Sequence, residues 1–231
     1  MLLTLPIREV LPGGARARIV RLDLTGRPFP YLPGQAVLVA SSGLERRPYS
    51  IAAAPDNARR KGFLELLVGV DEEGTPGGHL TLEPGALVNV EGPLGRFVFP
   101  DDDKARHVVF IAGGTGIAPL RAMLQQALAT SDRHIVLVYS ARTPRDFAYE
   151  GELRNLARAG RIDLNLTVTR DSDPSDWTGA LGRLNASDLA RLVPGPAALC
   201  FICGPPTFVT DMTRQLIERG IPDDRIRKEH W

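Results

Sequence analysis

The chain has 231 residues, 43% hydrophobic and 24% charged, with a formal net charge of +1. This is an ordinary globular composition with room for one large domain or two of usual size, and it excludes a disordered chain. The near-neutral balance argues against a dedicated nucleic-acid binder, and no apolar run reaches the length of a membrane span.

The opening residues, MLLTLPIREV, lack a basic leader and reach Pro6 too soon for a secretory signal, so a soluble cytoplasmic protein is expected. Up to about residue 100 the pattern is short strands between Gly and Pro turns. RIVRLDLTG sets Val20, Leu22 and Leu24 against Arg21 and Asp23, the period of a half-buried strand. QAVLVAS, RPYSIAA, FLELLVGV, ALVNVEG and RFVFP follow, separated by LPG, DEEGTPGG, LEPG and GPLG. Regular strands with turn signals predict an antiparallel β-barrel or sandwich. In RPYSIAA a cation, a proline-fixed aromatic and a hydroxyl run straight into an apolar strand.

From about residue 106 the grammar changes. HVVFIAGG, HIVLVYSA, LNLTVTR and ALCFICG are apolar, β-rich runs. They alternate with the helical stretches PLRAMLQQALA, EGELRNLARAG, ASDLARLV and PTFVTDMTRQLIERG. Strands alternating with helices predict a parallel α/β sheet covered on both faces. The expected division is residues 1–101 for the barrel and 102–231 for the α/β half, with DDDKAR at 101–106 as the junction.

The first turn of that half, Gly113-Gly114-Thr115-Gly116, lies between a strand and a helix whose first turn contains Pro119. Glycines there permit a sharp turn and close approach of a diphosphate, while the helix start presents free N–H groups and a positive dipole end. A second turn, Cys203-Gly204-Pro205, ends another strand on the same carboxyl edge, where open parallel sheets bind ligands. Cys200 and Cys203 spell C-x-x-C, but residues three apart on a strand face opposite sides, which argues against a dithiol. The four histidines (79, 107, 134 and 230) lack metal-ligand spacing, so no metal is expected.

Four stretches occur in one order: RPYS (47–50), GPLGRF (92–97), GGTGIAPL (113–120) and CGPP (203–206). In that order and spacing the chain resembles the ferredoxin–NADP reductase family of flavoproteins along essentially its whole length. The resemblance implies FAD on the barrel half, NADPH or NADH on the α/β half, and electron transfer in the cleft between them. By the same resemblance Arg47 pairs with the flavin phosphate, Tyr49 lies against the isoalloxazine and Ser50 approaches N5. The residue types suit these roles: a guanidinium matches a phosphate, an aromatic covers a flat ring, and a hydroxyl offers a hydrogen bond. Pro48 helps aim Tyr49.

The family's Gly-x-x-Ser/Thr-x-x-Leu stretch corresponds to GTPGGHL at 74–80, where Gly77 replaces the hydroxyl residue. The amides of Gly77, Gly78, His79 and Leu80 remain available to hold the diphosphate. Cys203, Glu229 and Trp231 are implied beside the nicotinamide, with Trp231 stacking on the flavin. Arg142 and Arg170, with Thr169, follow two strands where NADPH-linked members carry cations. Ala180 stands where such members add a further arginine, and Arg183 comes three residues later. A diffusible acceptor is expected, ferredoxin or flavodoxin first. The alternatives are a reductase releasing free flavin, the reductase component of a multi-component oxygenase, or a non-catalytic electron-transfer or regulatory subunit.

Overall fold

The computed structural model describes residues 1–100, 104–170 and 177–230. In the first half β1 (Leu2–Pro12), β2 (Ala17–Asp23), β3 (Ala36–Ser41), β4 (Arg47–Ser50), β5 (Phe63–Gly69) and β6 (Leu87–Leu94) form one antiparallel sheet. Its order is β4-β3-β6-β1-β2-β5. The two outer strands then meet: Ile51 bridges Leu66, and the Ala52 N–H donates to the Glu65 carbonyl at 2.8 Å. That contact closes the sheet into a barrel around Leu5, Val37, Ile51, Leu64, Leu66 and Val90. A short helix, α1 (Pro55–Lys61), starts on proline and stops at Gly62, whose φ of 74° makes the left-handed cap.

Strand β1 is absent from the expected strands, and Pro6 argues against a central position for it. The pairing explains how the proline is tolerated. Residues 2–6 pair with β6 and residues 7–12 with β2, with an irregularity between Ile7 and Glu9. Pro6 therefore sits where the strand changes partner. The expected strand RFVFP, in contrast, joins no sheet. Its alternation comes from Phe97 and Phe99, which pack against Phe201 at ring distances of 6.0 and 5.7 Å in the second half.

The second half contains β7 (His107–Gly113), α2 (Ile117–Thr130), β8 (His134–Ala141), α3 (Glu150–Arg158), β9 (Asp163–Val168), β10 (Ala180–Leu181), α4 (Ala186–Leu192), β11 (Leu199–Gly204), α5 (Pro206–Glu218) and β12 (Ile226–His230). The parallel sheet runs β10-β9-β8-β7-β11-β12. One face packs Val109, Ile111, Cys200 and Ile202 against α4 and α5. The other packs Phe110, Leu120, Phe201 and Cys203 in a core that also takes Ala17, Ile19, Leu67, Phe97 and Phe99 from the barrel half. The halves thus share one apolar core. No helix among the described residues is long and apolar enough to cross a membrane.

A buried charge chain crosses the same boundary. Arg121 on α2, 4% exposed, donates to the Ala52 carbonyl at 2.5 Å and to Glu65 at 2.7 Å. Its other nitrogens reach Glu152 at 2.7–3.1 Å, and its guanidinium lies 4.0 Å from the Tyr149 ring centre. Glu65 also accepts from Arg21 at 2.6 Å, and Arg21 continues to Glu9. The two buried charges of this chain, Arg121 and Glu65, each have opposite partners, as burial requires. Because Ala52 lies two residues after Ser50, Arg121 ties the helix after the glycine turn to the strand bearing Ser50.

Candidate active site

The glycine turn is shaped by contact. A Cβ on Gly116 would stand 2.3 Å from the Cys203 carbonyl oxygen and 2.7 Å from the Gly204 nitrogen, so only glycine lets α2 start against the end of β11. The two turns expected on one sheet edge do touch, since a Cβ on Gly204 would lie 3.1 Å from the Gly113 Cα. Pro119 falls in the first turn of α2 and is buried.

Above this edge lies a cavity of about 630 Å³. Its floor is Gly113, Gly114, Thr115 and Gly116, with Gly204 and Pro205 beside them. Arg142, Thr169, Arg170 and Arg183 line the same space. The structure therefore gathers Arg142, Arg170 and the glycine turn around one volume, together with Arg183, the arginine three residues past Ala180. Arg183 follows β10, whose first residue is the Ala180 that stands at the family's arginine position. At another wall Arg16 grips Asp146 through two hydrogen bonds of 2.6 and 3.1 Å, joining barrel to α/β half. Burial pushes the Asp146 carboxyl up, but hydrogen bonds from Arg16 and Thr143 outweigh it and hold the group below the ordinary range.

On the barrel, β4 pairs with β3 so that Ser50 faces Ala36 and Tyr49 faces Val37. Arg47 and Pro48 are exposed, Tyr49 half-buried and Ser50 buried. Among the described residues the Ser50 hydroxyl has no hydrogen-bond partner. The loop at 74–80 lies against this strand: an added Cβ on Gly77 would be 3.9 Å from Arg47 Nη1. Among the described residues, the amides of Gly77, Gly78, His79 and Leu80 donate no hydrogen bond. Leu80 itself is buried in the barrel core.

The sequence motif gives His79 a part only through its amide, and the structure adds the side chain. The ring is 5% exposed, stacks on Tyr49 at a centroid distance of 5.8 Å and an interplanar angle of 13°, and places Nε2 2.6 Å from the Tyr49 hydroxyl. Burial raises the Tyr49 hydroxyl to a pKa of about 12, with Arg47 opposing the shift. Burial, then Arg47, lowers His79, so its ring is neutral near pH 7.

The C-terminal strand places a carboxylate beside the end of β11. Cys203 on β11 stands in register with Glu229 on β12, and Glu229 Oε1 would be 4.0 Å from a Cβ on Gly95, the residue that follows β6. The Cys203 side chain is fully buried, and the cavity begins one residue later. Cys200 and Cys203 belong to cores on opposite faces of the sheet, which separates their thiols. Trp231 lies outside the described residues, as do 101–103 at the expected domain junction.

These residues fit a flavin nucleotide. An exposed guanidinium, four successive free amides and an orphaned hydroxyl are grouped along one strand and loop, beside an aromatic face. They supply, in turn, an anion partner, a backbone cradle, a hydrogen-bonding hydroxyl and a surface for a planar ring.

Residues 9–99 match the oxidoreductase FAD-binding domain family, and residues 110–214 match the oxidoreductase NAD-binding domain family. The chain is 36% identical over 239 residues to ferredoxin–NADP reductase B of Sorangium cellulosum, covering 97% of this chain and 94% of that protein. It is 35% identical to NADH-cytochrome b5 reductase 1 of Laccaria bicolor, over 72% of this chain and 55% of that relative's length. Among solved structures, the Amycolatopsis cytochrome P450 reductase GcoB is similar with a TM-score of 0.85 and 28% identity, over 99% of this chain and 70% of that one. The ferredoxin reductase in carbazole 1,9a-dioxygenase has a TM-score of 0.83 and 25% identity, over 100% of this chain and 69% of that one.

Proposed function

The chain belongs to the ferredoxin–NADP reductase family of NAD(P)H-dependent, FAD-binding oxidoreductases, and from that premise we propose that it oxidises NADPH in preference to NADH and reduces a small redox protein. We divide it at residues 101 and 102 into a flavin half and a nucleotide half. FAD, when bound, accepts electrons in a pair and can hand them on singly.

The chain's own residues bind and aim. Arg47 and the amides of 77–80 hold the flavin phosphates, Tyr49 covers the ring, and Ser50 supplies the hydrogen bond for which its buried hydroxyl is available. Gly113 to Gly116, with Gly204 and Pro205, receive the diphosphate of the nucleotide. Cys203 and Glu229, adjacent across β11 and β12, border the nicotinamide, and Trp231 shields the flavin until nucleotide arrives. We place the protein in the cytoplasm.

The observation that carries the nucleotide preference is the set of three arginines, Arg142, Arg170 and Arg183, around one cavity. Such a set suits a 2′-phosphate, since charge-assisted pairs to phosphate are strong. NADPH should be favoured by about tenfold or more in turnover efficiency, and Arg142→Ala or Arg170→Ala should shrink that ratio. A wild type that favours NADH, or a ratio unmoved in both variants, would defeat the preference.

Support for ferredoxin or flavodoxin as acceptor is the similarity to a ferredoxin–NADP reductase along nearly the full length of both chains. Likeness to a cytochrome P450 reductase and to the ferredoxin reductase in carbazole 1,9a-dioxygenase supports a second reading, the reductase component of a multi-component oxygenase. Steady-state reduction of ferredoxin, flavodoxin and free FMN by each nucleotide separates them. Turnover with free FMN alone would instead identify a flavin reductase.

A further inference from the structure

The family's hydroxyl residue in the diphosphate loop is replaced here by Gly77, and the structure shows what stands in its place. A Cβ on Gly77 would lie 3.6 Å from His79 Nδ1 and 3.9 Å from Arg47 Nη1. The spot a serine side chain would enter is therefore bordered by a histidine nitrogen and a guanidinium. That nitrogen is buried and has no hydrogen-bond partner among the described residues. The opposite ring nitrogen, Nε2, is 2.6 Å from the Tyr49 hydroxyl.

The ring's hydrogen-bonding sense follows from its two neighbours. Burial keeps the Tyr49 hydroxyl protonated, and Nε2 is its only hydrogen-bond contact among the described residues. When Tyr49 donates to Nε2, a neutral ring carries its proton on Nδ1. An anion beside Arg47 selects the same tautomer, because it attracts an N–H and repels a lone pair. Both demands agree on Nδ1–H.

Resting on the placement of the flavin phosphate at Arg47, we propose that the His79 side chain is itself a phosphate ligand. In this role Nδ1–H donates to the flavin nucleotide in place of the missing hydroxyl, and Tyr49 orients the ring. One aromatic stack then serves both ends of the cofactor: Tyr49 faces its ring system while His79 faces its phosphate. An unpaired buried donor is costly, so a phosphate that accepts from Nδ1–H gains more than it would from a donor already paired.

Two substitutions separate this from simple bracing of Tyr49. In His79→Asn the side-chain amide nitrogen stands near the Nδ1 position and the Tyr49 contact is lost. In His79→Gln the amide reaches the Nε2 position and keeps Tyr49, while the phosphate donor is lost. The affinity of the full-length protein for FAD, FMN and riboflavin is read from flavin fluorescence, with thermal melts as a check on folding. Removal of one charge-assisted hydrogen bond should weaken FAD and FMN roughly tenfold in His79→Gln, with His79→Asn within about threefold of wild type. Riboflavin, which has no phosphate, should bind all forms alike. Equal losses in both variants, or a riboflavin loss as large as that of FMN, would overturn the assignment and leave His79 as a brace. Arg47→Ala is the control for the underlying placement. If it weakens FAD while His79→Gln does not, only the histidine assignment falls. If FAD affinity is unmoved in Arg47→Ala as well, the phosphate does not sit at this strand and both readings fall.

Discussion

On the nucleotide side the surface nearest the proposed diphosphate is backbone: Gly113, Gly114, Gly116 and Gly204, where two of the missing side chains leave room for neighbouring main chain. On the flavin side the corresponding surface mixes a glycine loop with Arg47, Tyr49, Ser50 and His79, and its chemistry lies in how those side chains meet. The first kind of site tolerates no added atom at Gly116 or Gly204, whereas the second tolerates none of its partners being re-aimed. The difference follows from the scaffolds. A parallel sheet feeding a helix presents N–H groups at its carboxyl edge without help from side chains. A barrel strand offers an anion no such dipole end and must supply charge from residues.

The sharpest way to break the comparison is at Arg121, which belongs to neither site and ties one to the other. Arg121→Met removes the contacts to Ala52 and Glu152 and leaves Glu65, 1% exposed, with Arg21 alone. Breaking a buried pair from one side costs about 3–5 kcal/mol, much of it for the stranded charge. Urea unfolding should show that loss, and Arg121→Met with Glu65→Gln should recover part of it. A single variant as stable as wild type would mean that the two sites are not held together through this chain of charges. Should it fold, flavin affinity ought to drop as well, because Ala52 follows the strand carrying Ser50.

How far each site could be read from the sequence follows the same division. The turn at 113–116 is legible because close backbone approach demands glycine, and glycine is visible in a string of letters. The strand–helix alternation of the second half is equally plain, because the apolar runs of β7, β8 and β11 are buried on both faces. In the barrel half β1 hides behind Pro6, whose tolerance depends on a change of partner strand that no local pattern shows. RFVFP imitates a strand because Phe97 and Phe99 alternate toward Phe201, a contact about one hundred residues away in the chain. The His79 ring is invisible for a related reason: its meaning depends on Tyr49 across the barrel surface, 30 residues away in sequence.

A smaller but more selective effect is expected at Gly116. Gly116→Ala forces a Cβ to within 2.3 Å of the Cys203 carbonyl oxygen, a contact with main chain that no rotamer relieves. Overpacking of this kind costs about 3 kcal/mol, the upper end of its usual range. Nucleotide affinity should fall and flavin affinity should hold, which would sharpen the contrast between a site made of backbone and one made of side chains. Gly151→Ala is the matched control, since nothing among the described residues lies within 4 Å of its added Cβ and it is in the first turn of α3. It should be neutral or gain up to about 1 kcal/mol. Nucleotide binding unchanged in Gly116→Ala would remove the glycine turn from the diphosphate site.

The smallest expected effect tests the boundary between structure and chemistry on a single strand. Cys200 packs with Val109, Ile111 and Ile202 on one face of the sheet, and burial raises its thiol to a pKa of about 12. Such a thiol is an apolar filler, and Cys200→Ser should cost about 1–2 kcal/mol for burying a hydroxyl there, with turnover per folded molecule unchanged. Cys203 occupies the other face, between Ala112 and Glu229 in the sheet register and immediately before the two residues that enter the cavity. Its substitution by serine should slow reduction of the flavin by nucleotide, seen in single-turnover absorbance, more than it slows transfer to an acceptor. A side chain shorter and more polar than the thiol at that register would shift the carboxylate beside it and, through it, the proposed seat of the nicotinamide. Equal losses of turnover from both serine variants, with stability intact, would mean that the two sulfurs act together after all, against their placement in opposite cores.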